Sequence, residues 1–327
     1  MTTIASLSIA ARATLDMHSL NNEGGEGNQI QTRMVDIVGQ DGRMHNVNAI
    51  SGDMLKHIQA QHLFELAREQ QLPLCHGCAT FNANRINADS EWSTQSAKLT
   101  DRDALTSLLR TCAMDDAEGI LITADKRSLP RKSVVEFGWV VGIPQFVKSE
   151  SYFHVKYANE RNKEKVTADA TAREKDGSNL GQAIFHRPAS SGIYAIVCHL
   201  ELGRIGYNDI AQDYVLDEAE RTRRATALIQ SVLHTFVELN GAMRATQLPH
   251  LVGLQGIITH SSSGAIPAPL MSPLDESYQE QAISVTSALN GATSVVQAAP
   301  FDSLGDFAQQ MRTLLDRLQL GSLVTSR

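Results

Sequence analysis

The run Ile4 to Leu15, IASLSIAARATL, is apolar or small at most positions instead of at every second one. A strand written this way has no solvent side, so it belongs in the middle of a sheet that is covered on both faces. Arg12 interrupts the run and needs either an edge or a partner.

The next segments of the chain supply the cover. Ser51 is a natural N-cap, Asp53 adds negative charge in the first turn, and Leu55, Ile58, His62 and Leu66 recur at helical spacing until Leu72-Pro73. Strand character returns at Val134 to Val141 and at Ile193 to Leu202. Asp217 and Glu220 form a capping box for a long helix. Leu216, Ala219, Leu228, Val232, Phe236 and Leu239 make its apolar face, Arg221, Arg223 and Arg224 its solvent face, and Gly241 its end. Leu251 to Thr259 is a further strand and Thr293 to Ala298 a last one. Ser303 with Asp306 caps a final helix with Phe307, Met311, Leu314, Leu315 and Leu318 buried, closed by Gly321. The order strand, helix, strand, strand, helix, strand is that of a ferredoxin-like arrangement, although the pattern alone specifies only an insertion-rich α+β chain.

At 327 residues the chain is long for one compact core and short for two domains, so one domain over 1–327 with large insertions is expected. No apolar run approaches the ~20 residues of a membrane span, and no basic-then-apolar leader opens the chain. Four unevenly spaced cysteines, Cys75, Cys78, Cys112 and Cys198, suit a reducing cytoplasm. The Cys75-His76-Gly77-Cys78 pair reads as two packed cysteines or as part of a degenerate metal site completed by Cys112 or His62; no metal is assigned and no cofactor is expected.

The net charge is -7, yet all nine lysines lie between Lys56 and Lys175. An acidic chain of this kind holds a nucleic acid through placed contacts and not through bulk charge. Candidates for such contacts are the polar loop Asn21-Asn22-Glu23-Gly24-Gly25-Glu26-Gly27-Asn28, the β-prone run Gln31 to Val38, the turn at Asp41-Gly42 and the helix start at Ser51-Gly52. By its spacing alone the stretch also reads as a surface loop with a buried amphipathic helix behind it. Glycines admit close backbone approach, amide donors at a helix start attract phosphate, and Lys56 and His57 come next in the first two turns.

The wording of these segments, SLNNEGGEGNQIQTRMV and NAISGDMLKHI, resembles the DevR-like backbone subunit of type I CRISPR surveillance complexes (Cascade). Val135-Glu136-Phe137 with Gly142-Ile143-Pro144, Phe185-His186-Arg187-Pro188 with Ser191-Gly192-Ile193-Tyr194-Ala195, Arg204-Ile205-Gly206-Tyr207-Asn208-Asp209, Gly241-Ala242 and Pro249-His250-Leu251 agree with it in order. The resemblance implies a ferredoxin-like (RRM-like) palm with a finger-like insertion at 73–132 and a thumb hairpin at 145–192. Within the first insertion Thr100 and Asp103 start a helix carrying Leu105, Leu108, Leu109 and Cys112, and Lys126, Arg127, Arg131 and Lys132 form a basic cluster facing solvent or RNA. Within the second, aromatic and basic residues interleave on Tyr152 to Tyr157 and Gln182 to His186, the polar centre Asn159 to Gly181 being a mobile tip.

By the same resemblance the chain is a non-catalytic subunit. Its partners are CRISPR RNA, target DNA through the guide, further copies of itself and other effector subunits, with no membrane, in the cytoplasm. The RNA-binding residues are Asn21, Asn22, Gly24, Asn28 and Arg33; Ser51, Gly52, Lys56 and His57; and Phe153, Lys156, Phe185, His186 and Arg187. No nucleotide-binding, zinc-protease or serine-hydrolase motif is present. Two other readings stay open: a metal-dependent ribonuclease using Asp36 or Asp41, and a regulatory nucleic-acid-binding protein, for which no helix-turn-helix pattern speaks.

Overall fold

The computed structural model describes residues 2–26, 29–123, 127–157, 182–321 and 323. In chain order its first strands are β1 (Thr2–Ile4), β2 (Ser6–His18), β3 (Asn22–Glu26), β4 (Gln29–Thr32), β5 (Met34–Val38) and β6 (Met44–Ile50). Helix α1 (Gly52–Glu69) comes next, and then a group of short helices: α2 (His76–Ala79), α3 (Ser90–Ser96), α4 (Asp101–Thr111) and α5 (Ala113–Glu118). The small hairpin of β7 (Ile120–Ile122) and β8 (Leu129–Arg131) leads to β9 (Val135–Phe137), β10 (Val140–Tyr157) and β11 (Gln182–Leu200). The C-terminal part holds β12 (Tyr207–Asn208), β13 (Asp213–Tyr214), the long helix Glu218–Val237, β14 (His250–Ser261), the helix Tyr278–Asn290, β15 (Val296–Phe301), the helix Leu304–Asp316 and β16 (Leu318–Leu320).

One large sheet dominates, in the order β15-β14-β2-β11-β10-β6-β5, each pair antiparallel. β9 lies in line with β10 on the same side of β11. The first long strand, β2, is central, as its two-faced burial requires. Ile9, Ala11, Ala13 and Leu15 share a core with Leu55 and Ile58 of α1 and Leu228 and Val232 of the long helix. Ala10 points the other way and packs with Ile257, Tyr278 and Ala282. Arg12, on that second face, donates from Nε to the Pro273 carbonyl at 2.8 Å and lies over the Tyr278 ring. Gln59 of α1 donates to Ser231 Oγ of the long helix at 2.7 Å, a buried polar tie between the two.

The N-caps Ser51, Thr100, Asp217 and Ser303 each accept from the amide three residues on, at the positions their spacing predicts. Other expectations are corrected. The long helix stops at Val237, short of Gly241, and Gly321 comes after β16 instead of a helix. Met44–Ile50, unassigned by pattern, is a sheet strand. Arg221 and Arg224 are buried, and Ala219 is exposed. Positions 221 and 224 are one helical turn apart and share the inward face, whereas Arg223 turns outward. Arg131, read as part of a surface cluster, is also buried. Arg131 and Arg224 both reach Asp116, from Arg131 Nη2 at 2.7 Å and from Arg224 Nη1 at 2.9 Å. A buried carboxylate draws in the cations that neutralise it, and charge patterning along a chain does not reveal such pairs. Lys126 and Asn159 to Gly181 lie outside the described residues.

Candidate nucleic-acid interface

Two of the proposed contact regions meet at the base of the β10–β11 hairpin. Strand β2 leaves β11 at the His18–Ser190 pair, and β4 then takes the place beside β11, pairing Gln29 with His186. The glycine-rich loop is therefore held alongside the hairpin arm. At the bulge between β10 and β11, Gly192 has φ +153°, and a Cβ there would lie 2.2 Å from the Phe146 carbonyl. Only glycine fits this crossing.

The helix start is built from the same loop. Asn21 is buried and accepts the Ser51 N–H at its Oδ1, 2.9 Å, while Ser51 Oγ accepts from Met54 N–H at 3.2 Å. Gly52 sits so close to the β9–β10 junction that a Cβ would lie 2.6 Å from the Phe137 carbonyl. Asn21, Ser51 and Gly52 thus fasten the loop to α1. Gly24, at φ +103°, turns the exposed part of the loop.

Asn48 and Tyr194, which the sequence pattern does not single out, complete the fastening. Asn48 Nδ2 donates to Thr32 Oγ1 at 3.0 Å and to the Arg33 carbonyl at 2.9 Å, and its Oδ1 accepts the Tyr194 hydroxyl at 2.8 Å. The His18 ring packs edge-on against Tyr194 at 5.0 Å, and burial pushes its pKa down to about 4, so it is neutral near pH 7. Asn48 and Tyr194 both stand in segments that carry the family resemblance; nothing in their spacing marks them as partners 146 positions apart.

Outward from this network stand the exposed groups. The Arg33 guanidinium lies 5.1 Å over the ring of Trp139, which is 46% exposed. On the hairpin Phe153 faces His186 across the strands, rings 5.6 Å apart and edge to face, with Phe153 59% exposed. Tyr152 and Arg187 form the next cross-strand pair, on the opposite face, and Arg187 Nη1 donates to Thr246 Oγ1 at 3.2 Å. The backbone of Lys156 pairs with Ala183 and that of Phe185 with His154, while Asn22 pairs with Thr32. The side chains of Asn22, Lys156 and Phe185, and all of Asn28, lie outside the described residues.

Lys56 does not join this surface. Its ammonium donates to the carbonyls of Glu118 at 3.0 Å and Val135 at 3.3 Å and to Ser133 Oγ, with the buried Glu118 carboxylate 3.9 Å away. Burial pulls the Lys56 pKa down and pushes that of Glu118 up. The helix phase that puts Lys56 one turn from the N-cap aims it at the α5–β9 connection and away from the loop. His57 is exposed and lies 5.7 Å from the Phe81 ring, at a cleft of about 310 Å³ that Asp53, Arg85 and Glu118 also line. Asp36 accepts from Asn46 Nδ2 at 2.7 Å, and Asp41 pairs with His45 at 3.0 Å, both on the exposed β5–β6 hairpin.

A family model described as "CRISPR-associated negative auto-regulator DevR/Csa2" matches residues 9–283. The chain belongs to that family. Among curated DevR/Csa2 relatives, "CRISPR-associated protein Cas7/Cst2/DevR" of Methanocaldococcus jannaschii is 26% identical over 282 residues, covering 84% of this chain and 86% of its own. "CRISPR-associated protein Cas7/Csa2 1" of Saccharolobus solfataricus is 22% identical over 266 residues, covering 78% and 79%. Solved structures with a similar chain include a "CRISPR RNA-guided surveillance complex, pre-nicking", at 12% identity and TM-score 0.44 over 78% of each chain. Another is Csc2 of Thermofilum pendens, at 11% identity and TM-score 0.38 over 93% of this chain and 80% of that one. Among the described residues no helix is long and apolar enough to cross a membrane.

Proposed function

We propose that this chain is a non-catalytic subunit that binds CRISPR RNA, lines up with further copies along the guide and leaves its bases free to pair with target DNA in the cytoplasm. The observation that carries the reading is the exposed Phe153 ring against the half-buried His186 on a long two-stranded arm, set beside a glycine-rich loop in a member of a CRISPR-associated family. Aromatic faces stack on unpaired bases without regard to sequence, which suits a protein that must accept any guide. Arg33 over Trp139 offers a second stacking platform with charge, and Arg187 and His57 can reach phosphate. Asn21, Ser51 and Gly52 contribute by fixing the loop. The curated relatives are named as CRISPR-associated proteins, which supports a place among CRISPR components, and assembly with other effector subunits is part of the proposal. Repeated head-to-tail contacts between identical subunits produce an open helical array, the arrangement a linear guide requires.

We also read the core as ferredoxin-like. The strand order β14-β2-β11-β10, fourth, first, third and second of the pattern, supports it. Residues 73–132 are then a finger-like insertion and 145–192 a thumb on one domain spanning 1–327. No catalytic step is assigned to Asp36 or Asp41, whose carboxylates are engaged by Asn46 and His45 on an exposed hairpin.

The test is to purify the protein with its companion subunits and extract the nucleic acid that accompanies it. Short RNA with a repeat-derived end, in complexes of several copies per guide, is the expected result. Nucleic-acid-free protein that stays monomeric when offered CRISPR RNA and partner subunits would overturn the reading.

A further inference from the structure

Three of the four cysteines converge. Cys75, Cys78, Cys112 and Asp115 are all buried, and one donor atom from each lies within 4.8 Å of the other three. The four arrive as two pairs of equal spacing, Cys75-x-x-Cys78 and Cys112-x-x-Asp115. Each pair closes in the same way: the Cys78 N–H donates to Cys75 Sγ at 3.3 Å and the Asp115 N–H donates to Cys112 Sγ at 3.4 Å. The two loops are held face to face by a backbone bond from Ala113 N–H to the Pro73 carbonyl, 2.8 Å.

From these atoms we infer a structural Zn²⁺ site with Cys75, Cys78 and Cys112 as thiolate ligands and Asp115 as the fourth, carboxylate ligand. Three sulfurs and one oxygen in a closed, buried set suit zinc, which takes four ligands tetrahedrally and keeps no open position in structural sites. Thiolates select zinc over the hard divalent cations. A tetrahedron with ~2.3 Å bonds has edges of about 3.8 Å, so the set needs a contraction of under ~1 Å to close on the ion.

The surroundings agree. Among the described residues Asp115 Oδ1 is buried with no hydrogen-bond partner, and Oδ2 accepts from the thiols of Cys75 at 3.4 Å and Cys78 at 3.6 Å. A buried carboxylate left in that state is costly. A divalent cation satisfies the free oxygen and the three sulfurs together, and the protons held by the thiols and by the Asp115 carboxyl leave to solvent on binding. The site staples the segment after α1 to the α4–α5 junction. That region is built from the short helices α2 to α5, and its other buried side chains include Ile86, Trp92, Met114 and the α4 leucines. The proposed role is independent of RNA binding.

Metal analysis of the full-length protein, purified without chelator, is expected to give about one zinc per chain. A mercurial that titrates thiols should release it, followed with a zinc-binding dye, and replacement by Co²⁺ should give the charge-transfer and d–d bands of a tetrahedral thiolate site. Cys78→Ser should lower the zinc content several-fold, while Cys198→Ala, at a buried cysteine on β11 outside the cluster, should leave it unchanged. Should Cys78→Ser fail to fold, the dye and cobalt readings on the wild type decide alone. Zinc-free protein that yields no cobalt bands, iron or copper in place of zinc, a Cys75–Cys78 disulfide by mass spectrometry, or a folded Cys78→Ser that keeps full zinc would each overturn the assignment.

Discussion

Asp115 and Asp116 are consecutive and both fully buried, yet their carboxylates serve different clusters. Asp115 faces the cysteines, while Asp116 lies between Arg131 Nη2 at 2.7 Å and Arg224 Nη1 at 2.9 Å and also accepts the Gly206 N–H at 3.1 Å. One short helix, α5, thus ties the segment after α1 to the α4–α5 junction on one side and to the long helix on the other.

Removing the Asp116 carboxylate takes away the buried counter-charge that two guanidinium groups share, leaving Arg131 with the part-exposed Asp209 at 3.2 Å and Arg224 with Glu220 at 2.9 Å. Asp116→Ala is therefore expected to lower stability by about 3–5 kcal/mol, the range for breaking a buried pair by removing one partner. Urea titration of the two proteins gives the number. A loss below ~1 kcal/mol would mean that water reaches the arginines.

Phe153 has the opposite profile. Its ring is mostly exposed, so Phe153→Ala should leave the melting temperature nearly unchanged. A stacked base contributes about 1–3 kcal/mol, so affinity for single-stranded guide RNA should fall about tenfold. Filter binding at fixed salt measures this, and unaltered affinity would remove the hairpin pair from the interface.

Lys56→Ala is expected to act on stability and not selectively on RNA. It strips the buried Glu118 of its cation, and a buried charged group without a partner costs about 1–3 kcal/mol or more. Lys56→Ala with Glu118→Gln should recover part of the loss in a thermal melt. A selective RNA defect with full stability would return Lys56 to the contact surface.

His18 makes stability depend on pH. Its folded pKa of about 4 lies below its ordinary 6.5, so the unfolded chain binds a proton that the folded one refuses. The contribution is complete above pH 6.5, shrinks as pH falls toward 4, and is absent below that. The gap corresponds to about 3 kcal/mol. His18→Asn keeps an acceptor for the Leu20 N–H and cannot titrate, so its stability curve between pH 4 and 6.5 should be flatter than that of the wild type. Parallel curves would show that His18 is solvated in the folded state.

The sequence alone determined what depends on near neighbours. The run Ile4 to Leu15, which lacks polar alternation and is interrupted by Arg12, required a central strand, the spacing of Leu55, Ile58, His62 and Leu66 required a buried helix face, and Ser51, Thr100, Asp217 and Ser303 marked helix starts because a cap bonds three residues away. The wording of the loop and helix start was enough to point to the family. Tertiary structure decided which charges face water, because burial joins residues far apart in the chain. Arg131 and Arg224 looked like surface cations until Asp116 was placed between them, and Lys56 looked free until Glu118 was placed beneath it. The same holds for the cysteines: the sequence offered Cys112 or His62 to complete the Cys75–Cys78 pair, and the folded chain brings Cys112 and, unforeseen, Asp115 to it.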